Sequence, residues 1–207
     1  MEGSLYNTDT LLIENATIPG NKTIPVPSIA LSQSAEADTT DKVSVYRDAI
    51  TLINPDYLVL PDVVARIRNG QSKELITRIR LGKTNLKLQL PVICFSGEFR
   101  QRCNAGLVKY SGYIVLDYHD VSDLTELKTS ICSNPYTNCC FVSSGGRGLK
   151  VVVHVSGDSK HHAQMVEAVS KYYPVQGLGI AKDISRICFE SYDPDIYFNP
   201  ESRIFTL

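Results

Sequence analysis

Ser111-Gly112-Tyr113-Ile114-Val115-Leu116-Asp117-Tyr118-His119-Asp120 is the stretch on which the fold turns. A Ser-Gly turn opens a run of β-branched and aromatic residues, so Tyr113 to His119 is expected to be a strand. Alternation along it sends Ile114, Leu116 and Tyr118 to one face and Asp117 and His119 to the other. An Asp at a strand end often caps the next helix. Asp120 or Ser122 can do that here, which leaves Asp117 without a structural duty.

Working outward, Ser122 to Cys132 has a helical pattern, while Asn138 to Ser143 and Leu149 to Val155 read as strands. A helix over Ser159 to Tyr173 and a strand over Arg186 to Ser191 complete the series. The order β-α-β-β-α-β is that of an α+β domain with a split βαβ core, ferredoxin-like or RRM-like, expected over residues 111–207. In that topology the first and third strands pair centrally and the fourth flanks the first. Asp117 and His119 then stand beside Lys150, Asp183 and Arg186 on one edge.

The same alternation assigns Ile114, Leu116, Tyr118, Leu149, Val151, Val153, Ile187 and Phe189 to a helix-covered face. Asp117, His119, Lys150, His154, Arg186 and Glu190 fall on the opposite face, expected to be open because such groups are costly to bury alone. Two carboxylates near a lysine and an arginine are what phosphoryl transfer requires: oxygens for Mg²⁺ or Mn²⁺, cations for a triphosphate. The turn Ser143-Ser144-Gly145-Gly146-Arg147-Gly148 offers backbone N–H groups to a phosphate. A tight hairpin also needs small residues for steric reasons. Asp183 has a second reading, a salt bridge to Arg186. His154 reads as a partly buried strand residue, and His161 and His162 as solvent-exposed.

Upstream, residues 1–42 are rich in Thr, Ser, Asn and Pro and are expected to form an arm. Residues 43–110 form a basic N-terminal α/β unit, with a strand or short helix over Val43 to Ile53, a helix opened by Pro61 and stopped at Asn69-Gly70, and a helix over Ser72 to Leu81. Charge is segregated: residues 1–62 carry net −6, residues 66–102 net +7 and the remainder net −2. The basic band holds Arg66, Arg68, Lys73, Arg78, Arg80, Lys83, Lys87, Arg100 and Arg102. It fits a DNA backbone through counterion release, or equally a solvated helix face.

Six cysteines without a C-x-x-C pair read as reduced, largely buried thiols rather than a zinc site. With no apolar run long enough for a membrane span and no secretory leader pattern, the expected location is the cytoplasm, which makes the sequons at Asn15 and Asn21 incidental.

Leu90 to Gly97, Ser111 to Asp117, Ser144 to Lys150 and Asp183 to Phe189, with Ser191 to Pro194 and Asn199-Pro200 closing, resemble the VirE N-terminal-type domains of mobile elements and phages, a branch of the archaeo-eukaryotic primase superfamily. The resemblance spans roughly residues 43–207. It implies a primase-polymerase-like fold and a two-metal site with an Asp-x-Asp motif, a Gly-rich hairpin ending in a basic residue, and a third acid. Asp117 matches the first acid and Asp183 the third. Lys150 stands where many primases of the superfamily have histidine. His119 occupies the place of the second carboxylate, and an imidazole suits Mn²⁺ better than Mg²⁺. A β-bulge would turn Asp120 into the site.

The expected function is that of a DNA primase or polymerase module of a replication protein, working on a DNA template with nucleoside triphosphates and with a helicase domain or subunit as a candidate partner. In it, Asp117, His119, Asp120 and Asp183 serve the metal and chemistry, and Ser144, Gly145, Arg147, Lys150 and Arg186 hold the nucleotide. Arg66, Arg68, Arg78, Arg80, Lys83, Lys87, Arg100 and Arg102 hold DNA. The alternative is a catalytically inactive domain that binds nucleic acid or nucleotide on the same fold. A third reading is a structural domain of a replication protein whose basic band meets an acidic partner.

Overall fold

A computed structural model describes residues 41–207. The expected arm and both sequons lie outside them, apart from Asp41 and Lys42. In chain order the elements are β1 (Lys42–Tyr46), β2 (Asp56–Val59), α1 (Leu60–Asn69), α2 (Lys73–Arg80), β3 (Val92–Cys94), β4 (Gly97–Phe99), β5 (Leu107–Tyr110) and β6 (Tyr113–Tyr118). There follow α3 (Leu124–Cys132), β7 (Thr137–Val142), β8 (Leu149–His154), α4 (His162–Ser170), β9 (Leu178–Gly179), β10 (Cys188–Phe189) and β11 (Tyr197–Phe198). The domain is α+β.

Two sheets carry it. One has the order β10-β3-β1-β2, the other β11-β7-β8-β6-β9, and every neighbouring pair is antiparallel. In the second sheet β6 and β8 are central, with Asp117 opposite Lys150 and Val115 opposite Val152. The ribbon β4-β5 stands apart.

The strand expected at Arg186 to Ser191 is corrected in place and length. Only Cys188 and Phe189 form a strand, and they pair with β3 of the first sheet. The position beside β6 belongs to Leu178–Gly179, with Gly179 opposite Asp117. Sequence favoured the later segment because its apolar run is longer, but a two-residue strand needs no periodicity once its neighbours fix it.

Ile114, Leu116 and Tyr118 with Leu149, Val151 and Val153 do form the face covered by α3 and α4, packing with Ile131, Met165, Val166 and Val169. Ile187 and Phe189 instead pack against Tyr46, Val92, Cys94 and Phe99. The opposite face is not open along its length. Tyr113, Cys139, Phe141 and Val152 are buried there with Val43, Val45, Ile93, Phe95 and the α1 residues Val63, Val64 and Ile67. Only the end of this layer carries charge. Glu190, expected on an open face, is fully buried and bonded to Arg66 at 2.7 Å and to the Ser72 hydroxyl.

Local chemistry explains the element ends. Proline sits in the first turn of α1, and Gly70 closes that helix in the left-handed region at φ 78°, donating to the Arg66 carbonyl at 3.0 Å. α3 is capped by neither Asp120 nor Ser122. Asp123 accepts the Glu126 N–H at 2.9 Å.

Candidate functional site

Asp117 is the last charged residue of β6, its side chain 5% exposed. Its Oδ2 accepts from Arg186 at 3.1 Å, faces His119 Nε2 at 3.3 Å and contacts the Lys150 ammonium. Its Oδ1 is buried with no protein partner. The register across β6 and β8 supplies Lys150, and the chain just ahead of β10 supplies Arg186. A buried carboxylate needs such company, because desolvation of an unpaired charge costs several kcal/mol, on the order of 3–5 when a partner is removed. His119 lies over Gly179, where a Cβ would come within 3.3 Å of the imidazole.

Asp183 is exposed and organises the turn that aims Arg186. Its Oδ1 accepts from the Ser185 N–H at 3.1 Å and the Ser185 hydroxyl at 3.2 Å, while its carbonyl accepts the Arg186 N–H at 3.1 Å. The guanidinium of Arg186 is thereby given to Asp117, not to Asp183. Asp183, Arg186 and Lys150 line a cavity of about 20 Å³ with Ser96 and His162, room for one water molecule.

His162 corrects an expectation of exposure: it is 4% exposed, and its Nδ1 lies 3.0 Å from the Tyr110 hydroxyl. Burial lowers its pKa, with Asp183 opposing that shift. The same burial pushes the Tyr110 hydroxyl up to about 12. His161 is exposed and paired with Asp158 at 2.8 Å. Tyr110 carried no sequence signal, because only the approach of β5 to α4 brings it in, and Ser96 was legible only as part of the stretch Leu90 to Gly97.

The Gly-rich turn joins β7 to β8, with the Ser143 N–H on the Gly148 carbonyl at 2.8 Å and the Gly146 N–H on the Ser143 carbonyl at 2.9 Å. Gly148 is sterically required: a Cβ there would stand 1.9 Å from the Tyr118 carbonyl oxygen. Gly145 and Arg147 open onto a cleft of about 270 Å³ with Arg80, Lys87, His119 and Asp120. Ser144 is buried. Asp120 takes φ 47°, a conformation Asp tolerates, and its exposed carboxylate meets Arg147 at 3.3 Å. The strand thus ends at Tyr118, and a left-handed residue, rather than a bulge, turns Asp120 onto the cleft.

The basic band divides in space. Arg66 is committed to Glu190, and Arg68 donates to the Ile196 carbonyl at 3.3 Å. Arg80 ties the Gly-rich turn to the C-terminal segment through the Ser143 and Tyr192 carbonyls at 3.1 and 2.9 Å. Arg102 donates to the Ala49 carbonyl at 2.7 Å. Arg78, Lys83 and Arg100 are exposed, and Lys87 belongs to the cleft. Among the described residues no group of three or more His, Cys, Asp or Glu is placed to hold a metal ion, and no helix is long and apolar enough to cross a membrane. All six cysteines are free thiols.

This is an α+β domain with an anchored carboxylate beside a cationic cleft. The family model described as "BT4734-like, N-terminal domain" matches residues 85–198, more than half of the chain. The chain belongs to that family. The matched span contains Asp117, His119, the Gly-rich turn, Lys150, Asp183 and Arg186, and leaves β1, β2, α1 and α2 outside. No curated protein and no solved structure matches the chain.

Proposed function

We propose that this domain is a primase-polymerase-type nucleotidyltransferase module that sets a nucleoside triphosphate against a DNA template. The observation that carries the reading is Asp117 held by Lys150 and Arg186 from two distant segments, beside a cleft walled by Gly145, Arg147, Lys87 and Arg80. Glycine at the turn lets a phosphate approach the backbone, and the surrounding cations offset its charge. The order β6-α3-β7-β8-α4-β9 is read here as the ferredoxin-like unit that the resemblance to VirE N-terminal-type domains and the primase superfamily implies. The setting that resemblance implies is a replication protein of a mobile element or phage, with a helicase domain or subunit as a candidate partner.

In this reading Arg147, Lys87 and the turn hold the triphosphate, while Lys150 and Arg186 set the orientation of Asp117. Arg78, Lys83 and Arg100 meet template phosphates. Asp117 and His119 are the residues that would hold Mg²⁺ or Mn²⁺: their side chains converge at 3.3 Å, and Asp117 Oδ1 has no protein partner. Mg²⁺ is commonly held by one or two carboxylates with substrate phosphates completing its shell, so a three-residue cage is not a requirement. When bound, the metal supplies charge neutralisation on the transferring phosphoryl group. Asp183 and Asp120 are the further acids at hand.

The test is incorporation of labelled nucleotides on primed and unprimed DNA with Mg²⁺ and Mn²⁺ in parallel. Incorporation that vanishes in Asp117→Ala with the fold retained supports the proposal; unchanged incorporation in that variant refutes it. A second reading, nucleotide and nucleic-acid binding without turnover, is favoured by one observation: His119, not a carboxylate, shares Asp117 Oδ2 with Lys150 and Arg186. Binding with no incorporation under either metal would select it.

A further inference from the structure

The connection between β1 and β2 shows apolar side chains to solvent on a backbone that is tied down. Ile50, Leu52 and Ile53 are 74%, 45% and 54% exposed. Single exposed apolar residues are ordinary, whereas clusters mark contact surfaces.

The segment is fixed from both sides. Asp48 Oδ1 accepts the Ile50 N–H at 2.9 Å, the Thr51 N–H at 2.7 Å and the Thr51 hydroxyl at 2.8 Å. Asn54 takes a left-handed φ of 55°. From the far side the Arg102 N–H donates to the Leu52 carbonyl at 2.8 Å, its guanidinium holds the Ala49 carbonyl, and Ile53 bridges Gln101. A ridge so held has little conformational entropy left to lose on binding.

Its surroundings supply cations and a ring. The Arg47 side chain is 86% exposed, and Arg100 is exposed. Tyr57, 40% exposed, fixes its hydroxyl on the Phe99 carbonyl at 3.0 Å, next in sequence to Arg100. Asp48 Oδ1 is taken up by the turn, and its Oδ2 meets Arg47 Nε at 3.4 Å, a loose pair that leaves the Arg47 guanidinium in solvent; exposed Asp56 is the acid next to Tyr57. The Ala49 N–H donates to the Leu88 carbonyl at 3.2 Å, and Leu88 follows Lys87 of the cleft. The ridge is thus joined through Ala49 to the residue that follows Lys87 of the cleft.

We infer that this ridge is a contact surface for the bases of a single-stranded nucleic-acid template on its way to the cleft. The inference rests on the nucleic-acid-binding reading above. Apolar and aromatic side chains meet base faces, which a duplex hides in its stack, and Arg47 and Arg100 face the phosphates on either side. A protein partner would need no such flanking cations.

The test is fluorescence anisotropy with three labelled probes: oligo-dT, an abasic strand of the same length and a duplex. The wild-type chain is expected to bind oligo-dT about tenfold more tightly than the abasic strand, the order of one good base contact. The variant Ile50→Ser/Leu52→Ser/Ile53→Ser is expected to lose that difference while keeping its affinity for the abasic strand. Leu52→Ser alone, at an exposed position, repeats the test if the triple variant does not fold. Equal binding of oligo-dT and abasic strand by the wild type, or an undiminished difference in a folded variant, overturns the inference and leaves the nucleic-acid reading standing. Failure to bind any of the three probes removes that reading and the inference with it.

Discussion

The guanidinium of Arg186 donates to Asp117 Oδ2 at 3.1 Å although the two residues stand 69 positions apart. Arg186 lies just ahead of β10 in one sheet, and Asp117 lies in β6 of the other. The contact therefore couples the geometry of the candidate site to the packing of both sheets.

Asp117→Ala should abolish nucleotide incorporation and also weaken the fold, because Lys150 would remain largely buried without its counter-charge. The expected loss is about 3 kcal/mol in urea denaturation. Asp117→Asn keeps the shape and part of the hydrogen bonding, so its stability loss is expected to be smaller while incorporation is still lost. Equal stability of wild type and Asp117→Ala would refute the ion-pair account.

Position 119 is expected to tune the metal. His119→Asp adds a second carboxylate near Asp117, so incorporation with Mg²⁺ should rise relative to Mn²⁺. A hard, oxygen-seeking ion gains more from that exchange than one that accepts imidazole. Titrating each metal in the two proteins measures the change.

Arg66 and Lys83 should separate cleanly although both belong to the same basic band. Arg66→Ala leaves the fully buried Glu190 carboxylate with Ser72 alone and is expected to cost about 3 kcal/mol of stability, with little change in the salt dependence of DNA binding. Lys83→Ala, at an exposed position, should leave stability unchanged and lower the salt slope by about 1. Binding isotherms over a salt series, paired with thermal melts, decide it.

Gly148→Ala should disrupt the β7–β8 turn, since its Cβ would meet the Tyr118 carbonyl oxygen at 1.9 Å. Gly145→Ala, whose Cβ would make an ordinary 3.5 Å contact with Lys87 Nζ, should fold normally and weaken triphosphate binding by crowding the cleft. Calorimetric titration with a nucleoside triphosphate and with the monophosphate resolves the second effect.

His162 should make stability depend on mildly acid pH. Its pKa is lowered by burial, against Asp183, with Tyr110, Lys150 and Arg186 as the other titratable or charged neighbours. The unfolded chain binds the proton first, so the stabilising effect is complete above 6.5 and declines as pH falls from there toward the lowered folded value. His162→Gln should flatten melting temperature between about pH 5 and pH 7, a window above that of the carboxylates.

The strand Tyr113–Tyr118, the hairpin of β7 and β8 and the helices α1, α2 and α3 were legible because each depends on residues close in sequence: alternation, a Gly-rich turn, proline and glycine at helix ends. Asp117 and Lys150 were legible for the same reason, since the strand order places them opposite each other once the elements are known. The two-residue strand Leu178–Gly179 was not legible, because its pairing partner, not its own composition, makes it a strand. Burial of Glu190 and His162 was hidden as well, since polar residues go inside only where a distant partner such as Arg66 or Tyr110 meets them.

By itself, then, the sequence determined an α+β domain, the chemistry-bearing residues around Asp117 and the segregation of basic charge. Tertiary structure alone decided that Arg186 holds Asp117 rather than Asp183, that Lys87 faces the Gly-rich turn, and that much of the basic band is spent on internal contacts. The physical reason is range: backbone periodicity and turn chemistry act over a few residues, whereas the pairing of a buried charge depends on which distant segments the packed sheets bring within hydrogen-bond reach.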